Sequence, residues 1–253
     1  MVDVVRKEYD AEATNYDTNL SATLPLIRLD NELFISAIGD ATGAVILDLA
    51  GGSGVKARFA INAGAAAVDI IDISPGMMRE GQNIEATLNR DVMRWFEADI
   101  SQPLDHLPLK PQYDIVMANW PFDHVENMDV LEGMFRNIEK YLKPGGRFLG
   151  ARTCNPRVPE MIKGSLGAKY ANFEDIPGGV RYRFSLDSFE SDIVASSMEA
   201  TYSGSTEIYE KFGLVDIQVE PYENAKVVKE HPKLWEAYLQ EPGMAMVKAT
   251  KKI

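Results

Sequence analysis

Short apolar runs that read as strands alternate with helical runs from about residue 44 to 152, and no other feature constrains the fold as strongly. Ala44-Val45-Ile46-Leu47-Asp48-Leu49 reads as a buried strand. It ends in the glycine cluster Gly51-Gly52-Ser53-Gly54, and Val55 to Ala63 then reads as a helix stopped by Gly64. Val68 to Ile73 is a second strand. Ser74-Pro75 supplies an N-cap and a first-turn proline for a helix to about Asn89. Met93 to Glu97 and Tyr113 to Ala118 are the third and fourth strands. Leu131, Met134, Phe135, Ile138 and Leu142 fall on one face of a helix from Val130. Lys143-Pro144-Gly145-Gly146 ends it and leads into a fifth strand, Arg147 to Arg152. Strands alternating with helices imply parallel pairing through right-handed crossovers.

Residues 153–203 break this rhythm with Pro156, Pro159, Gly164, Gly167, Pro177, Gly178 and Gly179, and read as an insert lying over the strand ends. A short helix near Ser205 to Phe212 follows, then strands Leu214 to Tyr222 and Met244 to Thr250. The segment before Gly39 reads as helical and is expected to pack outside the sheet. One domain over 1–253 accommodates all of this, with 1–40 as an N-terminal lid and 153–203 as a substrate-binding insert.

Composition narrows the partners. With 26 basic and 38 acidic side chains, the net charge of −12 repels phosphate backbones and anionic membranes, so neither nucleic acid nor membrane is an expected partner. No run is long and apolar enough to span a bilayer, and the start of the chain shows no secretory signal. Cys154 is the one cysteine, which fits a cytoplasmic setting. His106, His124 and His231 are scattered without ligand spacing, so no metal is expected.

Chemistry concentrates in Asp48-Leu49-Ala50-Gly51-Gly52-Ser53-Gly54. Glycines between a strand and a helix let backbone approach a ligand closely. The loop sits at a strand's carboxyl end, where open α/β sheets bind ligands. Asp72 ends the next strand and can accept hydrogen bonds from ribose hydroxyls. A pyrophosphate cofactor favours G-x-G-x-x-G, whereas here the pattern is G-G-S-G with a carboxylate at the loop's entry. That carboxylate suits a cationic ligand, so charge favours S-adenosylmethionine (SAM) over a nicotinamide dinucleotide.

Leu47 to Gly54 resembles the first motif of class I SAM-dependent methyltransferases, in their small-molecule branch. Ile71-Asp72-Ile73-Ser74-Pro75-Gly76-Met77-Met78 is similar to the second motif, Glu97-Ala98-Asp99-Ile100 to the third, and Tyr113 to Val116 and Leu142 to Phe148 to later ones. Tyr209-Glu210-Lys211-Phe212-Gly213-Leu214 resembles the turn before the family's penultimate strand. The resemblance implies a Rossmann-like α/β fold. Its seven-stranded sheet is mostly parallel, with an antiparallel last strand, helices on both faces and an insert after strand 5. It also implies SAM as cofactor. Asp48, Ala50, Gly51, Gly52 and Gly54 would lie on the methionine part, Asp72, Ile73 and Met77 near the ribose, and Asp99 and Ile100 at the adenine. Tyr16 and Asn119 are further cofactor-binding candidates. Ala50 departs from the pattern, since the family has glycine there.

The implied reaction is in-line methyl transfer to the oxygen, nitrogen, sulfur or carbon of a small molecule. His124 follows the fourth strand and is the candidate base; a structural role for it is the competing reading. Trp120, Phe122, Arg152 and Tyr182 are candidate substrate contacts, with Tyr170, Phe173, Phe184 and Met161 as possible pocket walls. From Ala151 to Ser185 six basic residues outnumber three acids, which would attract an anionic acceptor unless the charge is simply a solvated face. Two other functions compete: an NAD(P)-dependent oxidoreductase, and a SAM-binding protein without transferase activity. A monomer or a homodimer is expected.

Overall fold

The computed structural model describes residues 2–20, 24–187 and 189–253, and within 2–20 all side chains except those of 15 and 17–20. The helical reading of the first 39 residues therefore falls partly outside the described residues. Where described, it holds as α1 (Val2–Leu20) and α2 (Pro25–Ile38). Then follow β1 (Val45–Leu49), α3 (Val55–Asn62), β2 (Ala67–Asp72), α4 (Pro75–Thr87), β3 (Met93–Glu97) and β4 (Tyr113–Met117). A single 3-10 turn, Pro121–Asp123, precedes α5 (Met128–Tyr141) and β5 (Leu142–Thr153). The Ser74 side chain caps α4 by accepting from the Met77 N–H at 3.1 Å.

The strands form a seven-stranded sheet of order β3-β2-β1-β4-β5-β10-β9. β1 to β5 pair in parallel. The last strand, β10 (Met244–Lys251), inserts between β5 and β9 (Leu214–Val219) and is antiparallel to both. Successive side chains on a strand face opposite sides. Ile46, Ile115, Met117 and Leu149 therefore meet α2 and α3 in one core. Leu47, Val116, Ala118 and Phe148 meet α5 and Tyr209 in the other. The strand order reverses between β1 and β4, and ligands bind at such switch points, beyond the strands' carboxyl ends.

Two regions differ from the sequence reading. The insert contains α6 (Pro159–Lys163) and a three-stranded antiparallel sheet, β6 (Ala168–Ile176), β7 (Gly179–Leu186) and β8 (Ile193–Met198). Its prolines and glycines mark turns between strands; the alternation in Val180, Tyr182, Phe184 and Leu186 is the period-two signal that goes with them. Short helices α7 (Glu199–Tyr202) and α8 (Glu207–Lys211) lead back to β9. β9 stops at Val219 rather than Tyr222, and α9 (Lys226–Glu230) and α10 (Pro232–Gln240) precede β10. Trp235 and Tyr238 of α10 are fully buried, and α9 packs on α2.

Candidate active site

A cavity opens over the carboxyl ends of β1, β2 and β4, holding about 1650 Å³ with the open solvent at its mouth included. The glycine loop forms one end, the insert sheet the other, and α1 lies across both.

At the loop end, backbone geometry does most of the shaping. Ala50, Gly52 and Gly54 all have positive φ, at 60°, 55° and 82°. Ala50 thus adopts the left-handed conformation despite its Cβ, at a cost of about 1–2 kcal/mol. At Gly51 the constraint is space: a Cβ there would stand 2.6 Å from Asp48 Oδ2 and 2.8 Å from Ile70 Cγ2. The loop backbone is therefore laid directly over the Asp48 carboxylate. Asp48 is fully buried, and among the described residues neither of its oxygens has a hydrogen-bond partner. Burial first, and the nearby Asp72 charge second, push its pKa up to about 8. Lys56 bears on it weakly, because its ammonium is 2.7 Å from Asp30 and 2.8 Å from Asn31 Oδ1.

Asp72 lines the same end. Its Oδ2 accepts from the Gly52 N–H and its Oδ1 from the Ser74 N–H, both at 2.8 Å. Burial still lifts its pKa to about 6. A carboxylate has about four lone-pair sites, so Asp72 fixes the loop and keeps acceptor capacity for a ligand. Ile73, Met77, Ala98, Asp99 and Ile100 continue the wall. Asn119 also faces the cavity; its Oδ1 accepts from the Ala151 N–H at 3.3 Å, while its buried Nδ2 has no partner among the described residues. Gly54 does not reach the cavity, serving instead as the left-handed residue that starts α3.

Helix α1 bridges the two ends. The Asp10 carboxylate accepts from Ser74 Oγ and the Gly76 N–H, both at 2.7 Å, at the start of α4, where the helix dipole favours negative charge. On the other side Glu8 accepts from the Val194 N–H at 2.7 Å and from Arg183 at 2.8 Å. Glu12 accepts from the Ser191 N–H and hydroxyl at 3.0 Å. Tyr9 and Tyr16 face the cavity from α1.

The insert end corrects several sequence-based expectations. His124 lines the cavity, but its ring is engaged on both sides. Nδ1 lies 3.2 Å from the Val194 carbonyl, which can only accept, so Nδ1 carries the hydrogen and Nε2 accepts from the Tyr9 hydroxyl at 3.0 Å. Burial pushes its pKa down to about 4. His124 is therefore a neutral strut under α1 and a poor proton acceptor. Phe122 does not wall the pocket: it turns away and stacks on Phe135 at 4.9 Å. Arg152 also lies outside, buried beside Tyr209 and donating to the Thr153 carbonyl at 3.0 Å. Met161 is core and Phe173 packs under Arg157.

Trp120, Tyr170, Tyr182 and Phe184 do line the cavity. Trp120 has φ 71°, strained backbone for an aromatic residue. None of the six basic residues from Ala151 to Ser185 lines the cavity. Arg157, Lys163, Arg181 and Arg183 pair with acids at the surface, and Lys169 is exposed. Asp123 is the site residue the sequence reading missed; it sits between two residues that were singled out.

The comparisons with known proteins fit this geometry. Residues 46–146 match the family model described as a methyltransferase domain. This segment, β1 to the start of β5, holds the glycine loop, Asp72, Asp99 and Asn119, on the sheet order described above. Residues 46–146 are a methyltransferase domain. A relative named demethylmenaquinone methyltransferase, from Tropheryma whipplei (strain Twist), is 27% identical to the chain over 154 residues, which is 60% of this chain and 60% of the relative. The chain thus spans about three fifths of that relative's length. Among solved structures, a DhpI–SAH complex superposes with TM-score 0.61 at 17% identity, covering 99% of this chain and 97% of the other. An S-adenosylmethionine-dependent methyltransferase from Clostridium acetobutylicum ATCC 824 gives TM-score 0.61 at 16% identity, with 97% and 99% covered. At such identities the methyltransferase domain shares their fold. Among the described residues, no helix is long and apolar enough to cross a membrane.

Proposed function

We propose that this chain transfers the methyl group of SAM to a small-molecule acceptor. The observation that carries the reading is Asp48: a buried carboxylate with both oxygens unpartnered, held under a close-packed glycine loop. Such a group is stable only if it stays protonated or gains a cation. SAM carries an ammonium and a sulfonium, whereas a pyrophosphate would be repelled there.

When bound, SAM supplies a methyl group already activated by its sulfonium. The chain's own contribution is to hold, align and keep dry. The loop from Ala50 to Gly52 with Asp48 would hold the methionine part, with Asn119 and Tyr16 beside it. Asp72 would use its remaining lone pairs on the ribose, flanked by Ile73 and Met77. Asp99 and Ile100 would hold and cover the adenine. Helix α1 acts as the lid, tied to α4 by Asp10 and to the insert by Glu8 and Glu12, and it excludes water from the cavity. The insert binds the acceptor through Tyr182 and its neighbours, opposite Trp120. A small acceptor agrees with a cavity roofed by α1 and with the name of the Tropheryma relative, and the net charge of −12 argues against nucleic acid.

Calorimetry with SAM, S-adenosylhomocysteine and NADH tests the reading. Both adenosyl ligands should bind and NADH should not. Asp72→Ala should weaken SAM binding by roughly 1–3 kcal/mol, the scale of hydrogen bonds to a charged group. Tight NADH binding with no heat for either adenosyl ligand would overturn it.

A further inference from the structure

At the insert, the cavity carries a polar cluster set among apolar walls. Leu186, Phe184 and Ala195 form its walls, and Asp123, Tyr170 and Tyr182 stand among them. These residues come from the 3-10 turn and from one face of the insert sheet, where Tyr170 pairs with Phe184 and Tyr182 with Ala195 across the strands.

The hydrogen positions follow from which groups can donate. A carboxylate only accepts. Ser197 Oγ is 2.6 Å from Asp123 Oδ1, so its hydrogen points at Asp123. The Thr153 N–H donates to Oδ2 at 3.1 Å, and the Thr153 hydroxyl also bears on the carboxylate. With its hydrogen committed, Ser197 Oγ accepts from the Tyr182 hydroxyl at 3.0 Å. Thr153 Oγ1 likewise accepts from Tyr170, 3.4 Å away. The Ser197 and Thr153 hydrogens thus point at Asp123, and the phenol hydrogens point at the Ser197 and Thr153 oxygens behind it, with Tyr182 also 3.3 Å from Thr153 Oγ1. What remains toward the cavity is carboxylate and phenol lone pairs. The cluster has no hydrogen to offer a ligand and needs one.

Among the described residues, no cation in the cavity offsets its charge. Arg152 bears on Asp123 but lies outside the cavity against Tyr209. His124 is neutral. Lys56 lines the opposite end and is paired with Asp30.

We propose that this cluster selects the acceptor: Asp123, supported by Tyr170 and Tyr182, takes a hydrogen bond from a hydroxyl or amino group on an uncharged, largely apolar acceptor, and excludes carboxylates and phosphates. The inference rests on the methyltransferase reading for the word acceptor, and it deepens that reading. It replaces the expectation of an anionic acceptor drawn from the insert's basic residues.

The test uses the full chain loaded with S-adenosylhomocysteine at pH 8 and four probes sharing one ring: phenol, aniline, benzoate and phenyl phosphate. Binding is read by ligand-observed NMR titration. Phenol and aniline should bind at least about tenfold more tightly than the two anions, since like charge at close quarters is strongly unfavourable. Asp123→Asn should shrink that preference to about twofold, because the amide has a hydrogen to donate and no charge. Tyr182→Phe keeps the carboxylate, so it should still reject benzoate while binding phenol about two- to fivefold more weakly. The proposal is overturned if benzoate binds the wild-type protein as well as phenol does, or if none of the probes binds. It is also overturned if Asp123→Asn binds S-adenosylhomocysteine normally and keeps the full preference. Should Asp123→Asn fail to fold, the wild-type and Tyr182→Phe titrations decide by the same criteria. A wild-type protein that does not take up S-adenosylhomocysteine at all defeats the methyltransferase reading instead, and the two failures are told apart in the loading step.

Discussion

The two ends of the cavity each bury a carboxylate, and they treat it in opposite ways. Asp48, under the glycine loop, has no hydrogen-bond partner among the described residues, and its pKa is pushed up to about 8. Asp123, against the insert, accepts from Ser197 and Thr153, and burial lifts its pKa only to about 6. Burial disfavours the charged form at both places; hydrogen bonds to the charged form offset it at one. Asp123 is therefore a finished part of the folded protein. Asp48 is left to be neutralised by a proton or by a cation from outside. One end waits for charge, and the other carries it in advance.

The sharpest way to break this contrast is Asp48→Asn. It should weaken SAM binding by about 1.5–3 kcal/mol, the scale of a lost hydrogen bond to a charged group, yet raise the melting temperature of the ligand-free protein at pH 8. Calorimetry and thermal melts on the same samples check both signs. A variant that loses both affinity and stability would show that Asp48 is structural. Next is Gly51→Ala, whose new methyl group would press on Asp48 and Ile70. Overpacking of this kind costs about 1–3 kcal/mol, so both stability and SAM affinity should fall.

The pH dependence of stability sharpens the comparison further. A carboxyl group whose pKa is raised by folding makes the folded state the better proton binder, so stability falls as pH rises from the unfolded value, near 4, to the folded one. For the ligand-free protein, Asp72 and Asp123 should contribute a fall between about pH 4 and about 6, and Asp48 alone should carry it on to about 8. His124 acts in the opposite sense: its lowered pKa makes stability fall as pH drops from about 6.5 to about 4. In Asp48→Asn the decline between about pH 6 and 8 should vanish while the rest of the curve stays. Denaturant titrations across that range read it directly.

Tyr9→Phe probes the strut between the ends. It leaves His124 Nε2 buried without a donor, at a cost of about 1–3 kcal/mol, and should loosen α1, seen as faster amide exchange in that helix. The smallest effect is expected from Ala50→Gly. Relief of left-handed strain, about 1–2 kcal/mol, is partly offset by the backbone entropy of glycine, about 0.5–1 kcal/mol. Stability should rise by several tenths of a kcal/mol, measured by denaturant titration.

Much of the loop end was legible in the sequence. Asp48, Gly51, Gly52, Asp72, Ile73, Met77, Asp99 and Ile100 sit at or just beyond the ends of short strands, which hydrophobic runs and turn residues mark locally. The αβ alternation was enough to predict parallel pairing, and the resemblance of the motifs to a known family implied the seven-stranded sheet with its antiparallel last strand. The insert end was hardly legible. Asp123 bonds to Thr153, 30 residues on, and to Ser197, 74 residues on. Nothing local says which of Phe122 and Asp123 faces the cavity, since that depends on which way a three-residue 3-10 turn points them. The surplus of basic residues misled for a similar reason: it was counted along the chain, whereas Arg181 and Arg183 meet Glu126 and Glu8 from distant elements.

The sequence alone determined the layered α/β plan, the carboxylates at the strand ends and the loop that bends over the first of them. Those depend on hydrophobic period, turn chemistry and glycine, which act over a few residues. Only the tertiary structure decided that His124 is a strut, that Phe122 and Arg152 face away, and that Ser197 and Thr153 donate to Asp123 with Tyr182 and Tyr170 behind them. A hydrogen bond is made between groups that folding brings together, and its direction is set by partners that may lie anywhere along the chain.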